Sequence, residues 1–440
     1  MAELQLKSRL RALMLEAVEA AQEANGALRR GQRAVAIYNT ERDDHVTALP
    51  SFAAAADELG SDPQFVATAG RESASRVVLQ LTYDFLERLS TQDFDESTFE
   101  ATWTSFSEEL ASPNWTYLSM ANLHGFTSDF DVLQLGDGIS IEGRSFTRLR
   151  EMGWSDFELE KLMEDWQGGG QHVLIIREEV GKEADNLVLG NTATGISKAY
   201  RMLLALRLAR EGDIHIGGGG VLTGRMLTTR SVGQGFTLLG GASMLGQTTR
   251  FSGLAYQLDE SEVSGVRAIY KQLIALEGIT GQSPYNLGLA LRSFSTSYDR
   301  FPTQADSRIV DLVTSVEALV GTEVETSFRL SYRAAGILAA DDNARVMIYQ
   351  DLKGFYDTRS RVVHGGTLSA KHLARLADYE LLRQYVRQLL VAFLRLATTP
   401  GQSYGPGYFR QLLDLDLQHA DRRSALRAAM GMADGLVARG

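Results

Sequence analysis

The stretch Phe355-Tyr356-Asp357-Thr358-Arg359-Ser360-Arg361-Val362-Val363-His364-Gly365-Gly366 decides how the C-terminal half of this chain is read. Apolar residues recur at helical spacing from Ala344 to Val363, and the Gly-Gly pair that follows is a helix stop. Arg359 and His364 stand at that end with four residues between them. Arginine stays charged and offers a fork of N–H donors that matches phosphate oxygens. Histidine, with an unperturbed pKa of about 6.5, takes up or releases a proton near neutrality. These two side chains suit metal-free cleavage of an RNA phosphodiester, because the RNA supplies its own 2′-hydroxyl as nucleophile. The same spacing recurs at Arg210 and His215, but there the helical pattern of 196–210 breaks at Glu211-Gly212-Asp213 and His215 opens a strand-like Ile-His-Ile. Those two side chains belong to different elements.

Outward from the quoted stretch the chain is helical on both sides. Residues 261–277, 285–298, 304–320, 327–339 and 369–397 each carry an apolar stripe, such as Ile309, Leu312, Val313, Val316 and Leu319. Short loops between long helices predict an antiparallel up-and-down bundle over 261–400. Thr398-Thr399-Pro400-Gly401-Gln402-Ser403-Tyr404-Gly405-Pro406-Gly407 reads as a linker. The segment 401–440 is therefore expected to be that linker followed by a short, frayed helical tail.

The fold class that emerges is mainly α, with an α+β middle region between helical ends. Residues 1–110 form a helical N-terminal region, with apolar spacing over 4–32, 71–89 and 96–110. Over 115–260 the pattern changes to short alternating runs, Asp131-Val132-Leu133-Gln134-Leu135 and Ile139-Ser140-Ile141, then a helix near 156–165, the strand-like Val173-Leu174-Ile175-Ile176 and a helix over 196–210. Gly217-Gly218-Gly219-Gly220 and the glycines through Gly241 lack both the Gly-Lys-Ser/Thr ending of a phosphate loop and the Gly-x-Gly-x-x-Gly register. They are expected to be hairpin turns between strands.

Composition narrows the function classes. Of 440 residues 44% are hydrophobic and 22% charged, ordinary values for a globular protein. No cysteine occurs, which removes disulfides, thiolate zinc sites and cysteine nucleophiles. The net charge of −11 argues against a general nucleic-acid coating protein. Residues 285–400 hold 14 Lys and Arg against 12 Asp and Glu, a balance of +2 that leaves −13 for the remainder. The N-terminal Leu4-Gln5-Leu6-Lys7-Ser8-Arg9-Leu10-Arg11 is amphipathic and unlike a signal peptide, and no stretch approaches the ~20 apolar residues of a spanning helix. A cytoplasmic location with no membrane partner is expected. Neither a metal nor a cofactor is expected: there is no His-Glu-x-x-His, and the Asp-x-Asp pair nearest a histidine, Asp414/Asp416 with His419, reads as a solvated acidic face.

Tyr356, the Arg359-Ser360 pair and the His364-Gly365 pair, in this order, resemble the signature of the HEPN ribonucleases, and more closely the Apea-like HEPN branch. Upstream, Arg308-Ile309-Val310-Asp311, Val316-Glu317-Ala318-Leu319 and Phe328-Arg329-Leu330-Ser331-Tyr332-Arg333-Ala334-Ala335 each resemble a segment that precedes the Arg-His motif in that family. The resemblance covers 285–400, with a fainter likeness over 115–280. It implies a HEPN-like bundle acting as a metal-independent endoribonuclease on an RNA substrate and leaving a 2′,3′-cyclic phosphate and a 5′-hydroxyl. His364 is then the proton-transfer group and Arg359 the phosphate-stabilising group, while Ser360 takes the polar position that commonly follows the arginine. The resemblance further implies a homodimer through the bundle and a toxin-like or abortive antiviral-defence effector, with the acidic 1–260 portion as sensor or regulatory half and room for a companion regulator protein. The alternative is a non-catalytic HEPN module that only dimerises and binds a partner protein or nucleic acid.

Residues five apart on an ideal helix point about 140° away from each other, so Arg359 and His364 do not meet on one phosphate if the helix runs straight through both. Either the glycine-terminated last turn deforms, or two subunits face each other and build one cleft. Tyr356 and Asp357 fall within one turn before Arg359 and either line that cleft or, for Tyr356, pack half-buried. Glu317 and Asp311, on an earlier helix, orient Arg359 or Arg333 by ion pairing or form structural salt bridges. Arg329 and Arg333 stand four apart on one face and either hold the RNA backbone or pair with that acidic helix.

Overall fold

The computed structural model describes residues 2–24, 42–89, 91–136, 138–143, 172–181, 187–222, 255–277, 286–301, 303–321, 325–399, 413–432 and 434–436. Within them the chain is mostly helical with one small antiparallel sheet. The N-terminal part consists of α1 (Ala2–Ala24), α2 (Arg42–Thr47), α3 (Pro50–Leu59), α4 (Pro63–Ala69), α5 (Ala74–Arg88) and α6 (Glu96–Ala111). Asp62 and Asp95 cap α4 and α6 by accepting the amides of Phe65 and Thr98, each at 2.8 Å. Leu10, Leu13, Phe52, Leu59, Phe65, Leu81, Phe85, Phe99 and Phe106 close a hydrophobic core of their own. Residues 25–32, where the first helix was expected to continue, lie outside the described residues.

The sheet follows directly. Its strands are β1 (Asn114–His124), β3 (Val132–Gly136), β4 (Ile139–Gly143), β5 (His172–Gly181) and β6 (His215–Leu222), in the order β3-β4-β5-β1-β6. The short β2 (Phe126–Thr127) pairs separately and in parallel with β7 (Tyr256–Gln257). Alternation puts Ala121, Leu123, Ile139, Ile141, Leu174 and Ile176 on the face that packs into the main core. Against that face lies α7 (Leu187–Ala209), longer at its start than the expected 196–210. Gly195 allows α7 to approach β1, because a Cβ there would collide with the Ser119 hydroxyl. Gly217–Gly220 are not a hairpin turn, as expected, but part of β6. The pairing moves from Asn122↔Gly217 to Ala121↔Gly219, so the extra glycine is absorbed as a bulge rather than spent on a turn. The expected helix near 156–165 and the glycines from Gly224 to Gly241 lie outside the described residues.

The next helices are α8 (Val263–Glu277), α9 (Leu287–Asp299), α10 (Ala305–Val320), α11 (Thr326–Leu338), α12 (Asp342–Val363), α13 (Ala370–Ala377) and α14 (Tyr379–Thr398). α10 is central: it buries Ile309, Leu312, Val313, Val316, Leu319 and Val320 and packs against α9, α11, α12, α13 and α14. The expected single helix over 369–397 is two helices. The chain turns at Asp378 (φ −98°, ψ 27°), and His372 and Arg375 draw the first piece towards Asp357 and Asp351 of α12.

One hydrophobic cluster runs from Ala121 through the bundle to Met430, so the sheet and the bundle share a core. Buried arginines reinforce that junction. Arg207 of α7 donates from Nε to the Ile214 carbonyl at 3.1 Å and from Nη1 to the Ser295 hydroxyl at 2.9 Å. The guanidinium groups of Arg207 and Arg383 both lie over the Tyr298 ring of α9, 4.4 and 4.1 Å from its centroid.

The expected short helical tail is present among the described residues, and it packs into the bundle rather than fraying from it. α15 (Leu413–Gln418) and α16 (Ala420–Ala429) bury Leu413, Leu417, Leu426 and Met430 in the same core. Leu436 donates its amide to the Leu338 carbonyl and accepts that of Ala340, both at 2.7 Å. Nor is Asp414 on a solvated acidic face: it accepts two bonds from Arg333, at 2.6 and 2.8 Å. The apolar pair at positions four apart, Leu413 and Leu417, turns this segment inward and carries Asp414 with it. Because Arg333 is only 3% exposed, Asp414→Ala strands a buried charge. It is expected to lower stability by about 3 kcal/mol in urea denaturation with the m-value unchanged.

Candidate functional site

α12 is capped by Asp341, whose carboxylate accepts the Ala344 amide at 2.8 Å, and runs from Asp342 to Val363. Its end is a Schellman motif: Gly366 donates to the Arg361 carbonyl at 2.8 Å and Gly365, at φ +67°, to that of Val362 at 3.4 Å. The amide of His364 still reaches the Ser360 carbonyl at 3.0 Å. The helix is therefore regular up to His364, so of the two ways for Arg359 and His364 to meet, a deformed last turn is not the one seen here. The glycines break the chain only after the histidine, so Arg359 and His364 leave α12 about 140° apart.

His364 is exposed to solvent, and Ser360, four residues earlier on the same face, is half-buried. Arg359 turns instead towards α10. Its Nη2 donates to Glu317 Oε2 at 3.3 Å, with both side chains 23% exposed. Its Nε–H is buried with no acceptor among the described residues. Burial pushes the Glu317 carboxyl above its usual range, and the Arg359 charge works in the opposite direction.

The other expected positions are distributed differently. Asp311 does not meet Arg359 or Arg333; it accepts from Arg300 Nε at 2.8 Å. Arg333 and Arg329 do not pair with α10's carboxylates but converge on Asp414, Arg329 at 3.9 Å and also 3.5 Å from Glu325. Arg333, 3% exposed, is closed off from any ligand on the surface. Tyr356 is half-buried and packed against the main core. Asp357, 55% exposed, is taken by His372, whose Nε2 lies 2.9 Å from Oδ2. That bond, more than the nearby Arg361 charge, holds the Asp357 carboxyl below the usual range.

His372 is the residue that sequence reasoning missed. Its signal is the Ser369-x-x-His372 spacing, a capping box with histidine in place of the usual glutamate or glutamine. A second missed cluster lies where the Arg210/His215 spacing was set aside. His215 is buried beside Asp213 (3.2 Å) and Arg207 (3.4 Å), while Arg210 pairs with Glu262 at 2.6 Å. Burial lowers the His215 pKa, which suits a neutral, structural imidazole.

Comparison with protein-family models, with curated proteins and with solved structures finds no match to this chain. No helix among the described residues is long and apolar enough to cross a membrane. No group of three or more His, Asp or Glu side chains is placed to hold a metal ion among them.

The raised pKa of Glu317 has a sign that can be checked. Between the ordinary and the raised value the folded state binds more protons than the unfolded one, so Glu317 contributes stability at low pH that is lost as pH rises. The stability of wild type relative to Glu317→Gln is expected to fall as pH rises from the ordinary carboxylate value through the raised one, and to level off above it. A series of urea denaturations across that range measures it.

Proposed function

We propose that the chain is a metal-independent endoribonuclease of the HEPN type, closest in character to the Apea-like branch, working in the cytoplasm as a toxin-like or antiviral effector. One observation carries the reading. The two side chains that the chemistry asks for sit within the last two turns of one helix and its cap, with His364 open to solvent and Arg359 held by Glu317 of α10.

In the reaction the 2′-oxygen of the RNA attacks the adjacent phosphorus and the 5′-oxygen leaves. A 2′,3′-cyclic phosphate and a 5′-hydroxyl result. His364 takes up the 2′ proton or delivers one to the departing 5′-oxygen. Arg359 stabilises the charge that grows on the non-bridging oxygens. Because the two diverge within one protomer, the reading calls for a homodimer in which bundles meet across a two-fold axis and each contributes to a shared cleft. Ser360, on the His364 face, supplies a polar contact one turn from the reacting phosphate. Tyr356 supports α12 from within rather than touching RNA.

A second reading, a non-catalytic bundle that dimerises and binds a partner protein or nucleic acid, is favoured by a different observation. Arg359 already has a carboxylate partner and a buried Nε–H, which is how a structural arginine is held.

The two separate in a cleavage assay on mixed-sequence single-stranded RNA in EDTA. Wild type is expected to cut and leave cyclic-phosphate ends, and Arg359→Ala and His364→Ala each to cut at least ~100-fold more slowly. The melting temperature of His364→Ala should stay at the wild-type value, since that side chain is exposed. Binding of RNA by wild type without cutting would favour the interaction module.

A further inference from the structure

α13 is fastened to the bundle mostly by polar contacts. His372 is its one buried residue; Leu373 is 55% exposed, and Leu376 is half-buried. Two pins tie it to α12: His372 Nε2 to Asp357 at 2.9 Å, and Arg375 Nη1 to Asp351 at 2.8 Å. The Arg375 guanidinium also lies over the Phe355 ring, 5.0 Å from its centroid. Gly354 makes room for it, since a Cβ there would stand 3.1 Å from Arg375 Nε. Between α12 and α13 runs the loop 364–369, with His364 at its start.

The His372 ring is fixed from both sides. The Ser369 amide donates to Nδ1 at 3.0 Å, so Nδ1 is the bare nitrogen and Nε2 carries the hydrogen directed at Asp357. The Ser369 hydroxyl lies 2.8 Å from the same Nδ1. Serine, histidine and aspartate in line are also the parts of a hydrolytic nucleophile. Here, however, Ser369 is the cap of α13, its carbonyl oxygen accepting the residue-372 amide at 2.9 Å while its own amide donates to Nδ1. These bonds hold a helix end in place, so the arrangement serves position rather than attack.

We propose that His372 is a positioning residue for His364: by fastening the start of α13 to Asp357, about two turns before His364 on α12, it fixes the loop that His364 opens. The inference rests on the reading of His364 as the proton-transfer group. A reacting imidazole must be held within a fraction of an ångström of its productive place, and a side chain exposed to solvent in the protomer receives that precision there chiefly through its backbone.

The test compares full-length wild type, His372→Ala and His372→Gln by amide hydrogen exchange over 364–369 and by RNA cleavage. Glutamine keeps an acceptor for the Ser369 amide and a donor for Asp357, as in an ordinary capping box. In His372→Ala, exchange over 364–369 is expected to quicken by about tenfold or more while α10 keeps its protection. The cleavage kcat should fall about 10- to 100-fold with KM unchanged. His372→Gln should restore most of both. Unchanged exchange in His372→Ala overturns the proposal, as does faster exchange with an undiminished kcat in a protein that cuts as wild type. If wild type cuts no RNA, the ribonuclease reading fails, and exchange alone still decides whether His372 fixes the loop. Should His372→Ala not fold, Asp357→Ala, altered at a side chain 55% exposed, makes the same comparison by removing the acceptor of the His372 Nε2–H.

Discussion

The structure depends on one helix being buried along nearly its whole surface. α10 packs against five other helices, so almost every position facing them must be apolar. The polar residues it retains must find partners inside the protein, since a lone buried charge is costly. Arg308, fully buried, donates to the Tyr379 hydroxyl and to the Arg300 carbonyl. Glu317 finds Arg359. The candidate site thus grows out of a packing constraint, because the carboxylate on the crowded central helix selects which face of α12 its arginine must take.

How much of this was legible in the sequence follows the range of the forces involved. The helices of the bundle were visible because apolar spacing is local, and Ile309, Leu312, Val313, Val316 and Leu319 announce α10 without knowledge of the rest. The break at Asp378 was not, because what turns α13 aside is a pair of contacts with residues 15 and 24 positions earlier, Asp357 for His372 and Asp351 for Arg375. The tail escaped for the same reason. Leu413 and Leu417 look like an ordinary amphipathic turn until Gly336 offers Leu417 a place.

At the candidate site, composition and spacing identified Arg359 and His364 and named Glu317 as a partner, but they also offered Asp311, Arg329 and Arg333 on equal terms. Three-dimensional competition decided among them. Asp311 was taken by Arg300, and the two arginines by Asp414. The Arg207–Tyr298–Arg383 cluster lay beyond reach because its members come from three helices far apart in the chain and carry no shared motif. In the strand β6 the glycines misled for a physical reason: a residue without a side chain signals a turn and a bulge equally well.

The backbone bonds of Leu436 to Leu338 and Ala340, together with the salt bridge of Asp414 to Arg333, give the fold a direction in time. A chain emerges from the ribosome N-terminus first. Helices α8 to α14 are complete before 413–436 exists, yet until it arrives Arg333 lacks its carboxylate and the apolar ground under Leu413, Leu417, Leu426 and Met430 is uncovered. Whatever the bundle does, it reaches its finished form only after every residue of the candidate site has already been made.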